Sequence, residues 1–176
     1  MAHWPAGWLL IGFLLIETAP VFSQSDQAER AFQRMADNLR ARPLQGLTHC
    51  GLKVEDLSIE SIRGGLNERT LQREMAATLS ALKLRTDDVP SLSGPFVSLN
   101  VSVTKLGRSG YTFVVLLELR ELVTPERDKE ALFLVTTWRQ FGTGAADNNG
   151  LPLKVADTLA LVLEDFRRDY SLANSQ

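Results

Sequence analysis

Residues Phe96 to Leu106 alternate without a fault: Val97, Leu99, Val101 and Val103 project one way, and Ser98, Asn100, Ser102 and Thr104 the other. Successive side chains of a strand point to opposite faces, so this period of two specifies a strand with one buried face. No other stretch constrains the fold as tightly, because a sheet face this apolar must be covered by a second layer. Gly107-Arg108-Ser109-Gly110 supplies a hairpin turn with glycine available for positive φ, and Tyr111 to Val123 returns as a long strand. After the charged connection Pro125 to Lys129, Ala131 to Phe141 is expected as a third meander strand, rich in Val, Thr, Phe and Trp.

Helical periodicity flanks this meander. Asn67 is a good N-cap, Glu68 sits in the first turn where the helix dipole favours it, and Leu71, Met75, Leu79 and Leu82 line one face. Val155, Leu159, Val162, Phe166 and Tyr170 form the stripe of a last helix over Leu151 to Leu172, with Pro152 in its first turn. Residues 25–41 read as an N-terminal helix, capped by Ser25 or Asp26, carrying Ala28, Phe32, Met35 and Leu39 on one face and ended by Pro43 and Gly46. Leu52 to Ile59 is expected as the first strand, interrupted by Asp56, with a turn at Arg63-Gly64-Gly65. Asp87 to Pro95 and Gly142 to Gly150 are breaker-rich and read as loops.

The order helix, strand, helix, three strands, helix predicts an α+β fold. It is a two-layer α/β sandwich with a four-stranded mixed sheet (β-α-β-β-β-α) and an extra N-terminal helix. The expected organisation is a signal peptide over 1–23, an N-terminal helix and linker over 24–50, and the sandwich domain over 51–176.

The leader is read from the apolar run Trp8 to Ile16, followed by Val21-Phe22-Ser23, where Val21 and Ser23 suit the −3 and −1 positions of a cleavage site. The stretch Met1 to Gly7 carries no Lys or Arg, a departure from the usual charged start. A membrane span needs roughly 20 apolar residues, so this run predicts export to the periplasm and no stable membrane anchor after cleavage. No Cys directly follows it that could take a lipid. A net charge of −2 without a basic cluster excludes nucleic acid as an expected partner. Cys50, the one cysteine, cannot form an intrachain disulfide and is expected to be buried.

Catalytic chemistry finds little support. His49 adjoins Cys50, but a nucleophile and its base must converge, and sequence neighbours point apart. Zinc requires three or four clustered ligands, which this pattern lacks. Asp147-Asn148-Asn149-Gly150 lacks the spacing and closing Glu of a calcium loop and reads as a turn and helix cap. Glu118 and Glu121 differ in parity and would face opposite sides of the sheet. Asn100-Val101-Ser102 matches a glycosylation acceptor but lies within a strand. No catalytic, cofactor-binding or metal-ligating residue is therefore assigned.

The second sheet face is less ordinary. If Tyr111, Phe113, Val115, Leu117 and Leu119 join the buried face, Val114 and Leu116 lie on the other, beside a strand carrying apolar residues at both parities. The candidate interaction face is Val114, Leu116, Leu132, Leu134 and Trp138. It could be covered by the N-terminal helix with Phe32 and Met35, by a protein partner or second copy, or by a small apolar ligand held between that helix and the sheet.

Over residues 51–174 the chain resembles small exported bacterial proteins of unknown function. The shared features are a capped helix like Leu66-Asn67-Glu68-Arg69-Thr70-Leu71, the Thr137-Trp138 pair near the end of the meander, and a terminal helix finishing like Asp165 to Asn174. The element order is also similar to the small α/β domain at the N-terminus of the periplasmic protein TolB, a fold-level likeness that transfers no site. The expected function is non-enzymatic: a periplasmic protein acting through protein–protein contacts, in envelope maintenance or as an accessory subunit. The alternative is a binding protein for a small apolar ligand.

Overall fold

The computed structural model describes residues 22–88, 90, 91, 94–108 and 110–175, so the expected leader lies outside them except for Phe22 and Ser23. Among the described residues, no helix is long and apolar enough to cross a membrane. The chain divides into two compact units, residues 1–34 and Met35–Gln176. The described part of the first is helical, belonging to α1 (Phe22–Ala41), whose last turns lie in the second unit.

The second unit continues through a 3-10 turn, Arg42–Leu44, into β1 (His49–Val54), α2 (Ile59–Arg63), α3 (Glu68–Ala81) and β2 (Arg85–Asp87). The meander β3 (Phe96–Leu106), β4 (Gly110–Val123) and β5 (Phe133–Ala146) follows, and α4 (Leu151–Asn174) closes the fold. The sheet is mixed, in the order β2-β1-β3-β4-β5, with β1 parallel to both β2 and β3 and the meander antiparallel.

The α+β class and mixed sheet stand, but there are five strands rather than four. The additional strand is β2, Arg-Thr-Asp, too short and too polar to carry an alternation signal. Several boundaries also move, two of them with a visible cause. The first strand starts at His49 and ends at Val54, because Ser58 caps α2 by accepting from the Ser61 N–H at 3.2 Å. The expected loop at Gly142 begins as strand: β5 runs on to Ala146. Its glycines answer a packing need, since a Cβ on Gly142 would come within 2.5 Å of Thr158 Cγ2 on α4, and one on Gly144 would strike the Phe113 ring.

Local chemistry explains the helices. Asn67 Oδ1 accepts from the Thr70 N–H at 3.2 Å, opening α3, which buries Leu71, Met75 and Leu79. Its end is a Schellman arrangement: the Leu84 N–H bonds to Leu79 O and the Lys83 N–H to Ser80 O. Lys83 takes the left-handed position at φ 62° that glycine usually fills. Asp147 Oδ1 accepts from the N–H groups of Asn149 and Gly150, which makes the Asp147–Gly150 segment a turn leading into α4.

One core lies between α3 and α4 and a single sheet face. That face presents Leu52 and Val54 from β1, Val97 to Val103 at alternate positions from β3, and Tyr111 to Leu119 at odd positions from β4. The register pairs Val97 with Leu119, Leu99 with Leu117 and Val101 with Val115, the parity the sequence pattern predicts.

The last turn of α1 and the residues after it are tied to α4. Asp169, 1% exposed, is held by Arg40 Nη2 at 2.9 Å and by Trp138 Nε1 at 3.0 Å. Arg40 Nε lies 2.8 Å from the same carboxylate but off the line of a hydrogen bond. The Asn174 side chain donates to Leu44 O and accepts from the Gly46 N–H, while Tyr170 Oη donates to Leu47 O. Met35 and Leu39 remain exposed, so this end of α1 does not cover the outer sheet face.

Candidate interaction face

The outer face of the sheet is built by the even positions of β3 and β4 and their β5 partners. On β3 it is polar, with Ser98, Asn100, Ser102 and Thr104 in a row. On β4 and β5 it consists of two apolar pairs around a charged band. Leu116 stands opposite Phe141, and Leu122 opposite Leu134. Between them Glu118 pairs with Arg139 and Arg120 with Thr136. Phe141 is 63% exposed and Leu134 is 53% exposed. Side chains directly opposite in an antiparallel pair are near enough to pack, so each pair forms a compact apolar island.

Arg120 and Glu118 in the charged band are paired within the chain. Arg120 Nη2 reaches Glu118 Oε2 at 2.6 Å, and Nε donates to the same oxygen at 3.0 Å. Thr136 Oγ1 donates to Glu118 Oε1 at 3.3 Å. Glu55, just past β1, accepts from Ser98 Oγ at 2.8 Å and pairs with Lys53 at 2.6 Å and Arg120 at 3.5 Å. The Lys53 hydrogen bond holds the Glu55 carboxyl below its usual range against the opposing effect of burial, with Ser98 and the Lys53 and Arg120 charges adding to it.

Of the five residues expected on this face, Val114, Leu116 and Leu134 occupy it, and Leu132 is 64% exposed in the connection just before β5. Trp138 does not. It is 3% exposed on the helix face, edge-on to Phe166 at 5.0 Å and bonded to Asp169. The reason is a register shift between Leu119 and Arg120: Trp138 pairs with Leu119 but Thr136 with Arg120, leaving Thr137 as an extra residue. A bulge reverses side-chain parity beyond it, so Leu134 and Trp138 end on opposite faces. Arg139, opposite Glu118, takes the place that strict alternation gives to Trp138.

His49 and Cys50 also separate by parity. Cys50 is fully buried on the helix side. His49 Nε2 instead meets Asp87 Oδ2 at 2.7 Å across the β1–β2 pair, both side chains being solvent-accessible. Burial first, and the Asp87 charge second, push the Cys50 thiol up to about 11, the reverse of what a nucleophilic cysteine requires. Roughly one thiol in ten thousand is then ionised at neutral pH. Iodoacetamide should therefore leave the folded chain unmodified over hours and label it rapidly in denaturant, as mass spectrometry can read. Labelling of the folded chain at the rate of a free thiol would contradict this burial.

The depression beside His49, lined by Pro43, Thr48, Pro95 and Glu121 among others, is open and mostly polar. Another is lined by Arg69, Gln72, Arg73, Ala76 and Asp88 and is likewise open. Among the described residues, no three His, Cys, Asp or Glu side chains gather where they could hold a metal ion. Sequence reading passed over Asp169, although its spacing after Val162 and Phe166 puts it on the apolar stripe of α4, a visible sign of a buried carboxylate.

No family model and no curated protein matches the chain. Among solved structures, it is similar to a PelC dodecamer from Paraburkholderia phytofirmans, with 15% identity over 68% of this chain and 86% of that one, at a TM-score of 0.39. A minor lipoprotein from Acinetobacter baumannii shares 7% identity over 73% and 92% of the two chains, at a TM-score of 0.34. A hypothetical protein from Chlamydia trachomatis shares 8% identity over 73% and 99%, at a TM-score of 0.36. Likeness at this level establishes neither a common family nor a common function.

Proposed function

We propose that this chain is a non-enzymatic protein of the bacterial periplasm that acts through protein–protein contacts, serving envelope maintenance or an accessory role in a larger assembly. The contact surface is the outer face of β4 and β5. The observation that carries the reading is the pair of apolar islands, Leu116 with Phe141 and Leu122 with Leu134, around a band in which Arg120 is paired with Glu118 and Glu55. Large apolar side chains exposed together, rather than singly, mark interaction sites on a monomer. Because Arg120 and Glu118 already pair with each other, a partner has chiefly to cover the apolar side chains around them. The exported location rests on the apolar run Trp8 to Ile16 and the small residues after it. The likeness to the N-terminal α/β domain of TolB belongs to the same proposal and rests on element order.

A photoreactive phenylalanine analogue at Leu134 tests this in cells that express the full chain. Irradiation should give one discrete cross-linked species, and the same analogue at Leu161, exposed on the far side of α4, should not. Equal cross-linking at both positions, or none at Leu134 in a folded variant, would remove the proposal.

A further inference from the structure

We infer that β5 is a self-pairing edge: two copies of this chain associate weakly through antiparallel β5 strands across a two-fold axis at Phe141. This deepens the reading of β4–β5 as a contact surface and rests on it, but it arises from main-chain geometry. The sheet has two edges of very different character. One is β2, three residues long with Arg85 and Asp87 exposed at its ends. The other is β5, fourteen residues long, with no Pro, Lys or acidic residue and the single charge Arg139. An unpaired strand presents a row of N–H and C=O groups that only another extended strand can satisfy in register, and proteins ordinarily blunt such edges with charge, proline or brevity. Here β2 is blunted and most of β5 is not.

Besides Arg139, the bulge at Thr137 is the defence on β5, and it fixes where pairing can occur. Beyond it, Trp138 to Ala146 runs without interruption. A two-fold centred on Phe141 keeps the pairing of Trp138 to Gly144 clear of the bulge. It sets Phe141 against Phe141 of the second copy, and Arg139 against Thr143. The two Phe141 rings, exposed in the single chain, then form an aromatic cross-strand pair on the outer face. The two arginines sit four residues apart along the paired strands, about 13 Å, beyond the ~8 Å screening length at physiological salt. A centre on Arg139 would bring them together. A partner strand must be extended, free at one edge and tolerant of Arg139, and β5 of a second copy meets all three conditions.

Interface size sets the strength. Seven paired residues span about 24 Å, and an edge about 10 Å deep gives roughly 500 Å² over both copies, well under the ~1,200 Å² of a stable complex. The dimer is therefore weak and forms where the chain is concentrated.

Sedimentation of the purified chain from about 10 μM to about 1 mM should show the mass rising from monomer towards dimer. Phe141→Lys should raise Kd at least tenfold. Phe141→Cys should form an intermolecular disulfide on mild oxidation, whereas Thr104→Cys, exposed on β3 away from the edge, should not. A chain monomeric throughout with no Phe141→Cys disulfide, or a dimer indifferent to Phe141→Lys, overturns the inference. Cross-linking at Leu134, on the other side of the bulge, reports separately on the contact face, so failure of one reading is distinguishable from failure of the other.

Discussion

Arg40→Met is expected to lower stability by about 3 kcal/mol, read as a fall in the urea midpoint with an unchanged slope. The substitution leaves Asp169 almost wholly buried with the Trp138 N–H as its remaining strong donor and Arg168 Nε 3.5 Å away. Removing one member of a buried pair leaves an uncompensated charge, which costs far more than the pair contributes. Asp169→Leu should cost less, because the freed Arg40 side chain is partly exposed and its guanidinium can turn to water. Combining Arg40→Met with Asp169→Leu should recover part of the loss, since replacing a buried pair by apolar residues is often close to neutral, while the buried Trp138 N–H is left without its acceptor. A strictly additive double variant would show that the two groups do not act together.

Phe166→Ala should cost about 3–5 kcal/mol, the range for emptying a large aromatic site in a core. Phe166 is fully buried, edge-on to Trp138 and stacked with Tyr170 at 6.4 Å. Its loss opens a cavity beneath the residues that tie α4 to the last turn of α1. The near-ultraviolet dichroism of Trp138 should weaken along with the thermal midpoint. Its effect should not add to that of Arg40→Met, because both act on the environment of Trp138 and Asp169. A cost below about 1 kcal/mol would mean that the surrounding side chains collapse into the space.

What the amino acids disclosed, and what they hid, follows the physics of each element. β3 was legible because one of its faces meets the helices and the other is polar over its length. α3 and α4 were legible because their stripes repeat for several turns. β2 was hidden because three polar residues contain no period, and pairing to β1 alone makes them a strand. The end of β5 was hidden because glycine reads as a breaker, whereas Gly142 and Gly144 are small so that α4 and Phe113 can approach. The candidate face was readable on β4 and half readable on β5. Residues 132–138 are apolar at both parities, so only the bulge decides that Leu134 turns outward and Trp138 inward.

The ties between the first and last parts of the second unit carry a temporal consequence. Arg40 and Asp169 are 129 residues apart, and Asn174 reaches back 130 residues to Leu44. A nascent chain still lacking its final helix can form β3 and β4 but has nothing on which to latch residues 40–47. Closure must therefore wait until synthesis has delivered Asp169 and Asn174, which keeps residues 40–47 pliable while the whole of the sheet is being made.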